Sequence, residues 1–139
     1  MIVLDCSAAV NIVRGTVEGD TLKSLILTNE EVISSDLFYI ELASAFSKYV
    51  KAGFIGADLA NTYMQCALRL VDRFVPLVEN YVEAFHESIR LNHSVYDLLY
   101  LTLARRNAAT LLTLDTKLTT LCETQGIDCI HTVMSKREI

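Results

Sequence analysis

The chain has no tryptophan, one proline and five glycines in 139 residues. With so few breakers it has no linker and no low-complexity segment, and long stretches are free to form unbroken helices. The four cysteines (Cys6, Cys66, Cys122, Cys129) are scattered, with no Cys-x-x-Cys and no pairing with His86, His93 or His131. That spacing argues against a zinc site and against a disulfide framework. Cys6, next to Asp5, has no histidine at motif spacing to make it a nucleophile. Long apolar runs are also missing. Hydrophobic residues make up 52% and mean hydropathy is +0.34, yet no run approaches the roughly 20 residues of a membrane helix. The N-terminus lacks a basic n-region and a small-residue cleavage site, so the expectation is a cytoplasmic protein with no membrane partner.

Positive charge is scarce as well. Twelve Lys and Arg stand against 17 Asp and Glu, for a net charge of −5 and an isoelectric point of about 5.1. A nucleic-acid binder usually shows the opposite balance. Lys48 with Lys51, Arg69 with Arg73, and Arg105 with Arg106 form modest clusters, each explicable as an ordinary solvated face. Gly-x-Gly-x-x-Gly, the P-loop, Gly-x-Ser-x-Gly and His-Glu-x-x-His are all absent. Asp5-x-Ser7 lacks the second aspartate of a haloacid-dehalogenase-type phosphotransferase.

Short apolar runs alternate with longer helical patterns, the signature of a parallel α/β sheet. The length suits one domain over 1–139 with a single core. The pattern predicts strands at 1–5, 32–35, 74–77, 110–114 and 127–131. It predicts helices at 7–14, 17–29, 37–52, 56–71, 79–91, 95–107 and 116–125, with Gly15, Gly53 and Gly126 as stops. Pro76 marks 74–77 as an edge strand, because proline cannot donate to a central ladder.

Within this frame four acids stand out. Asp5 and Asp115 each end an apolar strand run, where open parallel sheets bind ligands. Glu41 and Asp97 lie inside predicted helices. Carboxylates that belong to apolar segments are costly to bury alone. Several together repel unless a cation lies between them, which points to Mg²⁺ or Mn²⁺ held by carboxylate oxygens. Each acid also has a plainer explanation. Asp5 and Asp115 can cap the helices that follow them, and Ser94-x-x-Asp97 has the form of a capping box. Glu41 can be a solvated residue at the edge of its helix's apolar stripe. Capping does not explain Glu41, and Asp97 shares a face with Tyr100, Leu101 and Ala104 in a helix apolar almost all round. Ser7 and Thr113, each two residues from an acid, can orient a carboxylate or a metal-bound water.

With these four positions in place, the chain resembles a PIN domain, specifically the small kind found as VapC-type toxins. The resemblance runs over essentially all 139 residues. It is carried by Ile2-Val3-Leu4-Asp5-Cys6-Ser7-Ala8, Tyr39-Ile40-Glu41-Leu42-Ala43-Ser44-Ala45, Tyr96-Asp97-Leu98-Leu99-Tyr100-Leu101-Thr102-Leu103-Ala104 and Leu111-Leu112-Thr113-Leu114-Asp115-Thr116-Lys117-Leu118. No one segment is specific, but four in this order and spacing are. The resemblance implies a three-layer α/β/α fold with a central parallel sheet of about four to five strands. It also implies a divalent-metal-dependent endoribonuclease acting on RNA. Asp5, Glu41, Asp97 and Asp115 would form its metal cluster, supported by Ser7 and Thr113. Homodimers and a small antitoxin partner are common in this family. The alternatives are an RNA-processing nuclease outside toxin–antitoxin systems and a catalytically idle binding module. Some members carry a further acid shortly after the fourth. Here Lys117 stands at that place, which leaves one firmly held metal and a lysine able to meet an RNA phosphate. The apolar excess predicts a dimer, and an antitoxin groove on the helices near 17–29 and 37–52, with Leu25, Ile26, Phe46 and Tyr49 as candidate contributors.

Overall fold

The computed structural model describes residues 1–26 and 29–129. Four parallel strands form its sheet: β1 (Ile2–Leu4), β2 (Val32–Ser35), β3 (Arg73–Val75) and β4 (Thr110–Leu112), in the order β3-β2-β1-β4. The central β1 and its neighbour β2 are buried throughout, as inner parallel strands require, whereas β3 at the edge exposes Arg73. Val3, Ile33 and Leu111 point into one core, while Ile2, Leu4, Val32 and Leu112 point into the other.

Helices cover each face. On one side lie α1 (Cys6–Arg14), α2 (Val17–Leu25), α3 (Leu37–Lys51) and α4 (Ala57–Arg69), packed through Ala9, Leu22, Phe38, Phe46 and Ala67. On the other lie α5 (Tyr81–Leu91), α6 (Val95–Arg106) and α7 (Thr116–Gln125), packed through Ala84, Leu98, Leu101 and Leu118. The sheet between two helical layers makes a three-layer α/β/α fold, as expected from the sequence.

Several expected boundaries move. The strand expected over 74–77 is β3 at 73–75, on the sheet edge. Pro76 falls just beyond it and opens a single 3-10 turn, Leu77–Glu79, so the next helix begins at Tyr81 instead of 79. Lacking an N–H, Pro76 ends the ladder. Of the strand expected at 127–131, Cys129 makes one parallel bridge to Leu111, and positions 130 and 131 lie outside the described residues. The helix expected over 17–29 ends at Leu25, and positions 27 and 28 again lie outside.

The close packing of α2 on α1 depends on one glycine inside α2, Gly19. A Cβ at Gly19 would stand 2.0 Å from the backbone carbonyl oxygen of Asn11 in α1. In an exposed helix Gly→Ala is favourable by up to about 1 kcal/mol, but no rotamer change relieves a clash with backbone. Gly19→Ala should therefore cost roughly 2–4 kcal/mol, read as a lower urea midpoint at unchanged slope. A neutral or stabilising result would contradict this close approach of α1 and α2.

Candidate active site

Leu4 and Leu112 are register partners, so the next residues, Asp5 and Thr113, leave the sheet side by side at its carboxyl edge. The strand order reverses here. After β1 the chain steps outward to β2 and β3, then returns to β4 on the other flank of β1. Ligands of open parallel sheets bind in that crevice.

Asp5 is 4% exposed and caps α1. Its Oδ1 accepts the Ala8 N–H at 2.9 Å and the Ser7 hydroxyl at 2.8 Å, and its Oδ2 accepts the Thr113 hydroxyl. The two hydroxyls are fixed in turn. Ser7 Oγ accepts the Leu114 N–H at 3.0 Å, and Thr113 Oγ1 accepts the Asp115 N–H at 3.0 Å. Burial pushes the Asp5 carboxyl up to about 7. The three hydrogen bonds act against that rise and the negative charge of Glu41 adds to it. A carboxylate stripped of water is stabilised only in part by neutral donors.

Glu41 stands one turn into α3, half-buried, and its Oε1 accepts the Tyr100 hydroxyl at 2.5 Å. Burial raises its pKa, the Tyr100 bond opposes, and Asp97 raises it further. Tyr100 is buried and held well above the usual phenol range by burial and by Glu41, so it stays a donor. Asp97 lies in the first turn of α6, and the capping box read from Ser94-x-x-Asp97 is not formed. Ser94 caps the helix by accepting the Tyr96 N–H at 3.2 Å, but its own N–H donates to His93 Nδ1 at 3.0 Å. Asp97 Oδ2 instead lies 3.4 Å from His93 Nδ1. Burial first and Asp115 second raise the Asp97 pKa, while His93 and Lys117 lower it. Asp115 does cap α7, accepting the N–H groups of Lys117 at 2.9 Å and Leu118 at 3.1 Å. Lys117 itself is exposed on the first turn of α7.

A chain of repulsion therefore runs from Asp5 to Glu41, from Glu41 to Asp97, and from Asp97 to Asp115. All four belong to one end of the sheet. Among the described residues no three Asp, Glu, His or Cys side chains already form a cage for an ion. Mg²⁺ does not need one, since it commonly takes one or two carboxylates and keeps several waters. The donors are mutually repelling oxygens, which suits a hard divalent cation better than a soft one. Burial first, then the charges of Glu41 and Asp5, push the Cys6 thiol up to about 12, which disfavours the thiolate that a nucleophile needs. A groove of about 280 Å³, lined by Leu37, Ile40, Glu41, Ser44 and Tyr96, opens beside Glu41.

Tyr100 and His93 are neighbours of the acids that the residue pattern does not single out. The i+3 spacing puts Tyr100 on the Asp97 face, but there its hydroxyl is hidden within an apolar stripe. His93, just ahead of that helix, has the look of a turn residue.

The sequence matches the PIN domain family over residues 2–123. The chain belongs to that family, which indicates a nuclease. No curated protein matches it in sequence. Among solved structures it is similar to PAE2754 from Pyrobaculum aerophilum, with 20% identity and a TM-score of 0.70 over 97% of this chain and 94% of that one. It is also similar to VapC20 from Mycobacterium tuberculosis, described as a sarcin-ricin loop cleaving toxin. There the identity is 16% and the TM-score 0.63, over 87% of this chain and 95% of that one. VapBC2 from Rickettsia felis, bound to a DNA fragment from its promoter, gives 17% and 0.66, over 93% and 97%.

The raised Asp5 pKa has a consequence for stability. The folded carboxyl keeps its proton to higher pH than the unfolded one, so folding takes up protons between about pH 4 and pH 7. Stability contributed by this group is present below that window and lost as pH rises through it. The rise from 3.8 to about 7 caps the loss at roughly 4 kcal/mol. In EDTA the melting temperature should fall by several degrees between pH 5 and pH 8. Millimolar Mg²⁺ should restore most of it at pH 8. A metal-free melting temperature that rises over this range would show that the acids do not destabilise the fold.

Proposed function

We propose that this chain hydrolyses RNA phosphodiester bonds using Mg²⁺ or Mn²⁺ held by Asp5, Glu41, Asp97 and Asp115, and that it is the toxin of a toxin–antitoxin pair. The observation that carries this reading is the run of four mutually repelling carboxylates at the switch point of the sheet. A module freed from catalysis has no physical reason to keep them, which weighs against an idle binding protein. A bound divalent ion supplies Lewis acidity toward the phosphate and lowers the pKa of a coordinated water.

The protein's own groups do the positioning. Ser7 and Thr113 lock the Asp5 carboxylate, and Tyr100 locks Glu41, so the donors are held before the ion arrives. Lys117 stands close enough to Asp97 to favour its ionised form, and in this reading its exposed ammonium meets an RNA phosphate. The groove beside Glu41 offers Tyr96 and Ile40 as apolar contacts for an unpaired base. The net negative charge is less of an obstacle than it looks, because four of the acids are concentrated where a cation neutralises them. Likeness to VapC20 supports a toxin role, and likeness to VapBC2 supports a small antitoxin as partner.

Cleavage of a single-stranded RNA by the purified chain tests the reading. Activity should require Mg²⁺ or Mn²⁺ and vanish in EDTA. Asp97→Asn should lower the rate at least about 100-fold while leaving the metal-free melting temperature unchanged or higher, since it removes a repelling charge. A strong drop in that melting temperature would make Asp97 a structural residue. Tyr100→Phe keeps the ring and loses only the bond to Glu41. It should cost about 10-fold, chiefly as a higher Mg²⁺ requirement, because it disturbs a ligand's support and not the ligand. An unchanged Mg²⁺ requirement would remove Tyr100 from the site.

A further inference from the structure

One face of α3 carries a row of side chains that starts at the site and ends on two lysines. Glu41, Ser44, Lys48 and Lys51 follow at i, i+3, i+7 and i+10, which puts them in line along the helix. Ser44, Lys48 and Lys51 are exposed. The other face of α3 is committed to the fold. Leu42 and Phe46 are buried, and Ala45 and Tyr49 pack on the same core, so Phe46 is not the open surface expected of it. The groove beside Glu41 belongs to the row: Leu37, Ile40 and Ser44 line it from α3, with Tyr96 of α6 across from them. At helical rise Lys48 stands about 10 Å and Lys51 about 15 Å further along the helix than Glu41.

The charges decide what this row fits. The chain carries a net −5, and several of its arginines are taken up by its own glutamates. Arg73 pairs with Glu31 at 2.9 Å, Arg90 and Arg105 with Glu87 at 2.6 and 2.9 Å, and Arg106 lies 3.6 Å from Glu83. Among the described residues Lys48 and Lys51 meet no carboxylate. Their place in the last turn suits the negative end of the helix dipole. That accounts for positive charge there, but not for both ammoniums standing in line with Glu41 and the groove. The acids of the site do not cancel them either, because the separation exceeds the Debye length of about 8 Å at physiological salt. The row therefore presents a groove for a base and then two open positive charges, which is the chemistry of a polyanion with bases.

We propose that an unpaired RNA strand runs along this face of α3, with the phosphate to be cut at the acids, a neighbouring base in the groove between Ile40 and Tyr96, and phosphates further along the strand on Lys48 and Lys51. This inference rests on the nuclease reading and extends it from the reacting phosphate to the nucleotides on one side of it. Lys48 and Lys51 touch no reacting atom. They are positioning residues that hold the backbone in register with the site, through contacts that carry no sequence information. A single strand suits the row because its bases are free to leave the stack and enter the groove, whereas a duplex keeps them paired inside.

The test is fluorescence anisotropy with a labelled single-stranded RNA of about ten nucleotides in Mg²⁺, using Asp97→Asn protein so that the RNA is not cut. Added to that protein, Lys48→Gln and Lys51→Gln should each weaken binding about 3- to 10-fold and lower the slope of log affinity against log salt by about 0.7, the share of one phosphate contact on a single strand. Lys23→Gln removes the same charge from an exposed, equally unpaired position on α2, and should leave the slope unchanged. Melting temperatures close to the parent's establish that the variants are folded. In the active protein Lys48→Gln should raise KM for the same RNA and spare kcat, and it should not alter cleavage of a dinucleotide, which is too short to reach it. Binding with an unchanged slope in both α3 variants would overturn the proposal and leave this face to a protein partner. A Lys23→Gln effect as large as theirs would overturn it too, by reducing the effect to net charge. If the wild type neither binds nor cuts the RNA, the nuclease reading falls and the strand path with it.

Discussion

A carboxylate almost without water, Asp5, joins the two halves of this molecule at the end of the sheet. Its oxygens accept from α1 through Ala8 and Ser7, and from beyond β4 through Thr113. The same two hydroxyls receive the N–H groups of Leu114 and Asp115, so the loop into α7 is set by contacts to Asp5's neighbours. Asp115 takes its place from that loop. Glu41 comes to Asp5 from α3, steadied by Tyr100 of α6. The site is thus a convergence of α1, α3, α6 and α7 on one buried group.

The arrangement is electrostatically unfavourable by itself. Burial raises the pKa values of Asp5, Glu41 and Asp97, and each feels the charge of the next acid. Neutral donors offset part of that cost, and an ion between the acids would offset far more. Such a site is a local violation of the rule that buried charges are paired, and violations of that kind cluster where chemistry is done.

Much of this is legible in the amino-acid sequence. Asp5 and Asp115 stand out because each abruptly ends an apolar strand run, and Glu41 because capping does not account for it. What the residue pattern does not separate is capping from chemistry, and the structure shows why: Asp5 and Asp115 cap their helices and face the other acids at once. Ser94-x-x-Asp97 misleads in the other direction, since His93 takes the Ser94 N–H that a capping box would give to Asp97. Tyr100 is hidden because periodicity counts a tyrosine as apolar and is blind to its hydroxyl. β3 is shortened by Pro76, whose missing N–H ends the ladder one step earlier than its apolar neighbours suggest.

If these acids are gathered to hold a divalent cation, anomalous diffraction from crystals grown in millimolar Mn²⁺ reveals it most directly. A single strong peak bonded to Asp5 and to at least one of Glu41, Asp97 and Asp115 is the predicted result. Well-ordered density with Mn²⁺ bound only elsewhere, or with no peak at this end of the sheet, would contradict it.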